Sequence, residues 1–151
     1  MLKEIDKYKD PYSYIGFIIW TLENITSSAM EDYYTGKRKI PYSYIMVLSS
    51  LYWLMTKRES INQKDLANYT HMKEITISVI IRKLNKLGLV EIIKDKEDMR
   101  AKKIKVSKKG AEVLTGFLDI VVEVEKNIQS KTPELMTNLK QLKDELSFKD
   151  R

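Results

Sequence analysis

The chain has 151 residues, a formal net charge of +6 at pH 7, no cysteine and one histidine. The absence of cysteine excludes a disulfide framework, a thiolate nucleophile and cysteine-ligated zinc, and one histidine gives little support for a histidine-ligated metal or a Ser-His pair. We therefore expect no metal, no cofactor and no enzymatic activity. The length suits a single domain over 1–151, and the lack of a long apolar run or a signal-peptide pattern predicts a cytoplasmic protein without a membrane span.

The amino-terminal part predicts two amphipathic helices. Apolar side chains recur every three or four residues between residues 11 and 35, and Gly36 ends this pattern. A second helix is predicted from about Pro41 to Lys57. Its apolar face consists of five residues: Tyr44, Leu48, Leu51, Tyr52 and Met55.

Two shorter helices joined by a turn are predicted next. Asn62 suits an N-cap and Asp65 its partner in a capping box, so a short helix is expected over 63–69. After the turn, a second helix is expected over about 73–87, and Gly88 should end it in a left-handed conformation. The side chains predicted to point inward from this second helix are Ile77, Ile80, Ile81, Leu84 and Leu87.

The carboxy-terminal part predicts a hairpin and two more helices. Residues 90–94 and 102–106 are predicted strands, and the second alternates lysine with apolar side chains. Ser107 is expected to cap a long helix over 108–129, and Thr132, followed by proline, to cap the last helix. The predicted order is α-α-α-α-β-β-α-α, and the fold class is mainly α with a small β-hairpin wing.

Basic charge is concentrated in one segment. Residues 82–110 hold eleven Lys or Arg and four Asp or Glu, a balance of +7 in 29 residues. Since the whole chain carries only +6, the remainder is close to neutral. A local basic excess is typical of a polyanion-binding surface, and the alternative from charge alone is a solvated lysine surface without a specific partner.

Two short helices joined by a tight turn form a helix-turn-helix when the second has a free polar face for the major groove of DNA. The residues predicted for that contact are Lys73, Glu74, Thr76, Ser78, Val79 and Arg82. Arg82 suits guanine or a phosphate, and Glu74 either reads cytosine or interacts with the dipole of its own helix. Ile75 and Val79 are apolar where polar residues are usual. Contacts to thymine methyl groups would suit an A·T-rich operator.

The hairpin offers a second contact with DNA. Arg100 at its tip is predicted to enter a narrow, A·T-rich minor groove, and Asp98 to position that arginine through a charge-assisted pair. Other lysines of the hairpin are predicted to lie over the phosphate backbone, where they add affinity without sequence information. They are Lys94, Lys96, Lys102 and Lys103.

Five stretches of the chain follow one another in an order and spacing that together are fairly specific. They are Gln63–Ala67, Ile75–Ser78, Lys83–Val90, Glu97–Ala101 and Val106–Gly110. In these stretches the chain resembles the MarR family of winged helix-turn-helix regulators. The resemblance implies a homodimer on a pseudo-palindromic duplex site, usually a repressor released by a small ligand. It further implies a DNA-binding lobe over 60–107 and dimerisation helices over 11–57 and 108–147.

Aromatic residues are concentrated in the first part of the chain, where 1–53 holds eleven of the fourteen. Tyrosine and tryptophan suit a pocket for planar or phenolic compounds, and the resemblance implies an effector pocket where these helices meet the DNA-binding lobe. The candidates for binding a small aromatic ligand are Tyr14, Trp20, Tyr44, Tyr52 and Trp53. The alternative is ordinary packing in the core and the dimer interface.

A different class of function is also compatible with this fold. A winged helix can be a protein–protein interaction module that uses its basic face on acidic partners. Such a module should expose an apolar patch where this chain has lysine and arginine. A nucleic-acid-acting enzyme would need clustered carboxylates or histidines, which the sequence lacks.

Overall fold

The computed structural model describes residues 15–38, 40–94 and 102–147. These residues form six helices and a two-stranded sheet in the predicted order, so the predicted fold class is confirmed. The elements are α1 (Ile15–Arg38), α2 (Tyr42–Met55), α3 (Gln63–Thr70), α4 (Glu74–Lys86), β1 (Val90–Lys94), β2 (Lys102–Val106), α5 (Lys108–Lys131) and α6 (Leu135–Ser147).

The hydrophobic core lies between α2, α3, α4, the hairpin and the first half of α5. Burial of each Leu or Ile there stabilises the fold by about 1.5–3 kcal/mol. Helix α4 contributes Ile77, Ile80, Ile81 and Leu84, which recur at three- and four-residue spacing on one side of the helix. This spacing fixes the rotation of α4 about its axis and leaves its opposite side to solvent.

Both short helices have the predicted ends. The Asn62 side chain accepts a hydrogen bond from the Asp65 backbone at 3.0 Å, and the Asp65 carboxylate accepts one from the Asn62 backbone at 2.9 Å. The predicted capping box is therefore confirmed. The turn before α4 has His71 in a left-handed conformation at φ 54°, and Gly88 follows α4 at φ 72°, as expected.

The hairpin is attached to the helices by backbone hydrogen bonds. Its strands pair antiparallel, with Ile92 opposite Ile104. The Ile104 N–H donates to the carbonyl of Ile61, just before α3, at 2.8 Å, and the Val106 N–H donates to the sulfur of Met55 at 3.3 Å. The hairpin is therefore bonded to the segments on both sides of the α2–α3 turn.

Three details of the prediction were wrong. Leu87 is 43% exposed, because the chain leaves α4 there and Leu89 takes the buried position. Tyr52 is 47% exposed, since Leu51 and Leu54 occupy the core side of α2. Thr132 ends α5 and does not cap α6, because its hydroxyl donates back to the Ile128 carbonyl at 3.1 Å.

Helices α1 and α6 lie largely outside the core. None of the residues of α6 is buried. Apolar side chains that are 40% or more exposed recur along α1, and they are Ile15, Phe17, Ile18, Ile19, Trp20, Leu22 and Ile25. Within the described part of the chain, no helix combines the length and apolar character needed to cross a bilayer.

Candidate nucleic-acid interface

The solvent side of α4 carries the residues predicted for the major groove. Glu74, Thr76 and Arg82 are exposed, Ser78 is half-buried and Val79 is 40% exposed. Because the opposite side of α4 is held in the core, these side chains share one outward surface. The structure thus brings the predicted recognition residues together on one helix face.

The start of α4 is open to an anion. Lys73 is the N-cap residue and makes no capping hydrogen bond with its side chain. Backbone N–H groups in the first turn of a helix point outward and attract negative charge, which suits a DNA phosphate. Glu74 lies in the same first turn, where a carboxylate interacts favourably with the helix dipole. This position suits the predicted interaction of Glu74 with the dipole of its own helix.

Arg82 lies along the exposed face of α4. Its Nε donates to the carbonyl oxygen of Ser78, one turn earlier, at 3.3 Å. This bond directs the side chain back along the helix, toward the end that carries Thr76. The guanidinium group therefore belongs to the same surface as the other predicted recognition residues.

The register of the hairpin pairs two lysine residues at its distal end. Lys94 stands opposite Lys102, whereas Glu91 stands opposite Lys105 nearer the core. Lys102 is exposed and Lys103 is half-buried. Lys96, Asp98 and Arg100 lie outside the described residues, as does the side chain of Lys94. Their predicted roles stay predictions.

Part of the basic charge is used within the protein. The Lys109 ammonium donates to the carbonyl of Leu87 at 2.8 Å, at the carboxy-terminal end of α4, where a cation also interacts favourably with the helix dipole. The Lys83 ammonium lies 5.7 Å from the centre of the Tyr44 ring. The sequence indicated the charge of both residues but not these contacts, which join parts of the chain 22 and 39 residues apart.

The candidate ligand residues do not share one environment. Trp20, Tyr52 and Trp53 are 61%, 47% and 51% exposed, and Trp53 has the Lys57 ammonium 4.8 Å from its ring centre. Tyr44 is partly buried against the core, and Tyr14 lies outside the described residues. A shallow groove on α5 is lined by other residues: Ile120, Glu123, Val124, Lys126 and Asn127.

Two buried hydroxyl groups were missed by the sequence reasoning. The side-chain oxygens of Thr21 on α1 and Ser49 on α2 are inaccessible to solvent and have no hydrogen-bond partner among the described residues. Buried polar atoms without a partner are uncommon, because each costs about 1–3 kcal/mol. No sequence pattern distinguishes these hydroxyls from the exposed ones of the same helices.

One tyrosine near the junction of α1 and α2 has an altered acidity. Burial raises the pKa of Tyr42 above 10.0, and the nearby Glu23 carboxylate raises it further. The Tyr42 ring packs against Phe117 of α5, with ring centres 6.2 Å apart. Among the described residues, no group of histidine or carboxylate side chains could hold a metal ion.

A match to a known protein family identifies the domain that carries this surface. Residues 42–110 match a family model described as a winged helix DNA-binding domain. The chain contains a winged helix DNA-binding domain. The matched residues run from α2 to the start of α5, so this domain includes α4 and the hairpin.

The rest of the chain extends the winged helix domain into a larger known fold. A MarR/EmrR family transcriptional regulator from Acinetobacter sp. ADP1 is 19% identical, with a TM-score of 0.75 over 91% of this chain and 98% of that one. A MepR–DNA complex from S. aureus is 18% identical, with a TM-score of 0.74 over 88% and 96%. The fold is therefore that of MarR-family regulators, as the resemblance predicted.

A curated relative is also described as a regulator. The uncharacterized HTH-type transcriptional regulator YdcH of Bacillus subtilis (strain 168) is 23% identical over 123 residues, which are 79% of this chain and 80% of the relative. The match thus spans about four fifths of each chain. The prediction of a regulator rather than an enzyme is confirmed.

Proposed function

We propose that this protein is a transcriptional regulator of the MarR type that binds a pseudo-palindromic, A·T-rich operator as a homodimer and represses transcription. The observation that carries the proposal is the outward surface of α4, which groups Thr76, Ser78 and Arg82 beside a basic hairpin. Helix α4 would enter the major groove, and Arg100 at the hairpin tip the minor groove. Asp98 would position that arginine.

Charge supports DNA as the partner rather than an acidic protein. A charge balance of +7 in residues 82–110 suits a closely spaced row of phosphates. The solved MepR–DNA complex has the same fold. If about six phosphates are neutralised, the log–log dependence of affinity on salt should have a slope of about −5.

Exposed apolar surface supports a homodimer. Besides the apolar row on α1, side chains at least 40% exposed occur late in the chain, and they are Leu118, Val122, Ile128, Leu139 and Leu146. Each Å² of apolar surface that is removed from water stabilises the protein by about 25 cal/mol, so such surface is costly to leave exposed. A second copy of the chain, contributing the same helices, would cover both sets and place two α4 helices on one duplex.

A small aromatic effector is the remaining part of the proposal. The unpartnered hydroxyls of Thr21 and Ser49 would gain hydrogen bonds from a polar ligand bound between α1 and α2. Four of the aromatic candidates belong to these two helices, and they are Trp20, Tyr44, Tyr52 and Trp53. The fifth, Tyr14, precedes α1 in the sequence. A structure of MepR from S. aureus, which has this fold, holds ethidium bromide.

The test is a binding titration with duplexes recovered from a random pool by the protein itself. Fluorescence anisotropy should show binding that weakens steeply with salt. Lys102→Gln should lower affinity and reduce the salt slope by about one, because one phosphate contact is lost. Lys140→Gln on α6 removes the same charge away from the proposed interface and should leave the slope unchanged. Recovery of no duplex above background, or equal effects of the two substitutions, would contradict the proposal.

A further inference from the structure

We infer that Ile75 and Val79 on α4 recognise C5-methyl groups in the major groove, so that this helix selects the methyl group itself, on thymine or on 5-methylcytosine. The inference rests on the proposed function and extends the thymine contact expected from the sequence, because it makes the methyl group itself, rather than the A·T pair, the feature that the helix recognises. It makes Ile75 a specificity-determining residue.

The exposure of Ile75 is the first observation. Its side chain is 72% exposed, more than any other large apolar side chain of the described residues. Val79 follows four residues later and is 40% exposed. Residues four apart lie on the same side of a helix, about 6 Å apart along its axis. That separation spans roughly two base steps of 3.4 Å each.

The surroundings of the pair are polar, which argues against a protein partner. Thr76 and Ser78 lie between the two apolar residues in the chain, and Arg82 returns along the same face through its bond to the Ser78 carbonyl. The apolar surface of α4 is therefore only two side chains wide. An interface with a protein needs a larger continuous apolar patch. Two isolated apolar contacts among hydrogen-bonding groups match the edge of a base pair better.

The chemistry of the groove supplies the matching group. In the major groove, thymine presents a C5-methyl group beside its O4 acceptor, whereas cytosine presents an amino group and no methyl. A methyl group on C5 of cytosine occupies the equivalent position. Apolar contact would therefore distinguish thymine from uracil and 5-methylcytosine from cytosine. The hydrogen-bonding residues around it would read the rest of the base pair.

The first experiment removes methyl groups from the DNA. The probe is the tightest duplex recovered from a random pool, with thymines replaced one at a time by deoxyuridine, which lacks only the C5-methyl. We expect wild-type affinity to fall about fourfold for each contacted methyl, the factor that corresponds to one buried CH₂-sized group. Ile75→Ala should bind the original duplex more weakly and lose the distinction between thymine and deoxyuridine at its position. Val79→Ala should do the same at a neighbouring step.

Ile93→Ala is the matched control, since Ile93 is a 40% exposed isoleucine on β1. It should keep the full thymine–deoxyuridine ratio. Both Ile75→Ala and Val79→Ala alter exposed positions, so circular dichroism should show an unchanged fold. If the wild type binds the thymine and deoxyuridine duplexes equally at every position, or Ile75→Ala keeps the wild-type ratio, the inference is wrong while DNA binding stands. Binding to no duplex would remove the proposed function and the inference with it.

The second experiment adds a methyl group. At each thymine position where deoxyuridine weakens binding, a C·G pair is introduced and compared with 5-methyl-C·G in the same place. The methylated duplex should bind about fourfold more tightly. Equal binding would show that the helix selects the hydrogen-bonding pattern of the A·T pair, and would overturn the claim that it selects the methyl group.

Discussion

The carbonyl oxygen of Leu89 occupies the space that a side chain on Gly110 would need. A Cβ built on Gly110 would also approach the Val106 side chain to 3.0 Å. The same carbonyl accepts a hydrogen bond from the Ser107 N–H at 3.0 Å. The start of α5 is therefore packed directly on the backbone that joins α4 to the hairpin.

Gly110→Ala should destabilise the protein by about 2–4 kcal/mol, because the obstructing atom is a backbone carbonyl that cannot rotate away. Chemical denaturation measured by circular dichroism would give the change in the free energy of unfolding. Gly116→Ala in the same helix is the control, since a Cβ there meets no atom within 4 Å. That control should be neutral or stabilise by up to about 1 kcal/mol. Equal effects at the two positions would contradict the close approach.

Asp65→Ala should cost about 1–2 kcal/mol of stability, because it removes half of the capping box at the start of α3. The ion pair with Arg58, at 3.2 Å, adds little because the arginine is 61% exposed. Asp144→Ala breaks an ion pair of two exposed residues on α6 and should change stability by less than about 0.5 kcal/mol. A loss at Asp65 no larger than at Asp144 would show that the cap is unimportant.

Tyr42 should make the protein less stable in alkaline solution. Its pKa is raised in the folded state, so well below the ordinary value of 10.0 both states keep the proton and stability is unaffected. Above that pH the unfolded chain ionises more readily, and stability falls until the folded-state pKa is passed. Tyr42→Phe should therefore lose less stability than the wild type between about pH 9 and 11, as measured by denaturation at each pH.

Tyr42→Phe can also change the free energy of unfolding by an amount that does not depend on pH. That amount cancels, because the comparison uses only the slope of the free energy of unfolding against pH. Tyr69→Phe is the control, because Tyr69 is 47% exposed on α3. It should retain the alkaline loss of the wild type. Parallel curves for wild type and Tyr42→Phe would contradict the effect of burial.

Arg100→Ala and Arg82→Ala should affect DNA binding in different ways. A minor-groove arginine adds affinity to all A·T-rich duplexes, so Arg100→Ala should weaken binding broadly, by about tenfold. On the proposed mode of binding, Arg82 faces the major groove from α4, so Arg82→Ala should change which duplexes are preferred. Selection from a random pool with each variant separates the two outcomes. An unchanged affinity for Arg100→Ala would remove the proposed role of the hairpin tip.

Val122→Glu should shift the proposed homodimer to monomer. Val122 is 50% exposed on α5, and Leu118, one turn earlier, is 42% exposed. A carboxylate in a dimer interface would be desolvated without a partner, which costs several kcal/mol. Sedimentation velocity would measure the change. Asn127→Glu, at an exposed position on a different side of the same helix, should leave a dimer intact. If the Val122→Glu variant is still a dimer, the dimer interface does not include this part of α5.

Local sequence patterns were sufficient for most of the fold. Asn62 and Asp65 form the expected capping box, because that motif depends only on residues three apart. The buried side of α4 also follows from spacing alone, since three- and four-residue intervals place side chains on one side of any helix. The same reasoning correctly assigned Gly88 a left-handed conformation.

The remaining features depend on contacts between distant parts of the chain. Leu87 has the spacing of a core residue, and its exposure follows from the path of the chain at Gly88 and Leu89. Lys109 belongs to the basic segment of the sequence, but its ammonium group donates to the backbone at the carboxy-terminal end of α4. For the aromatic candidates, composition indicated a concentration of rings, whereas the separate positions of Trp20 and Tyr44 required three-dimensional packing.

The bond from the Ile104 N–H to the Ile61 carbonyl has a consequence for the geometry of the DNA itself. Because it joins the hairpin to the segment that leads into α3 and α4, the distance between the hairpin and α4 is held nearly constant. On the proposed mode of binding, one of these elements lies in a major groove and the other in the adjacent minor groove. The affinity of the protein would then depend on the helical twist of the DNA. Overwound or underwound duplexes would bind weakly even with an ideal base sequence.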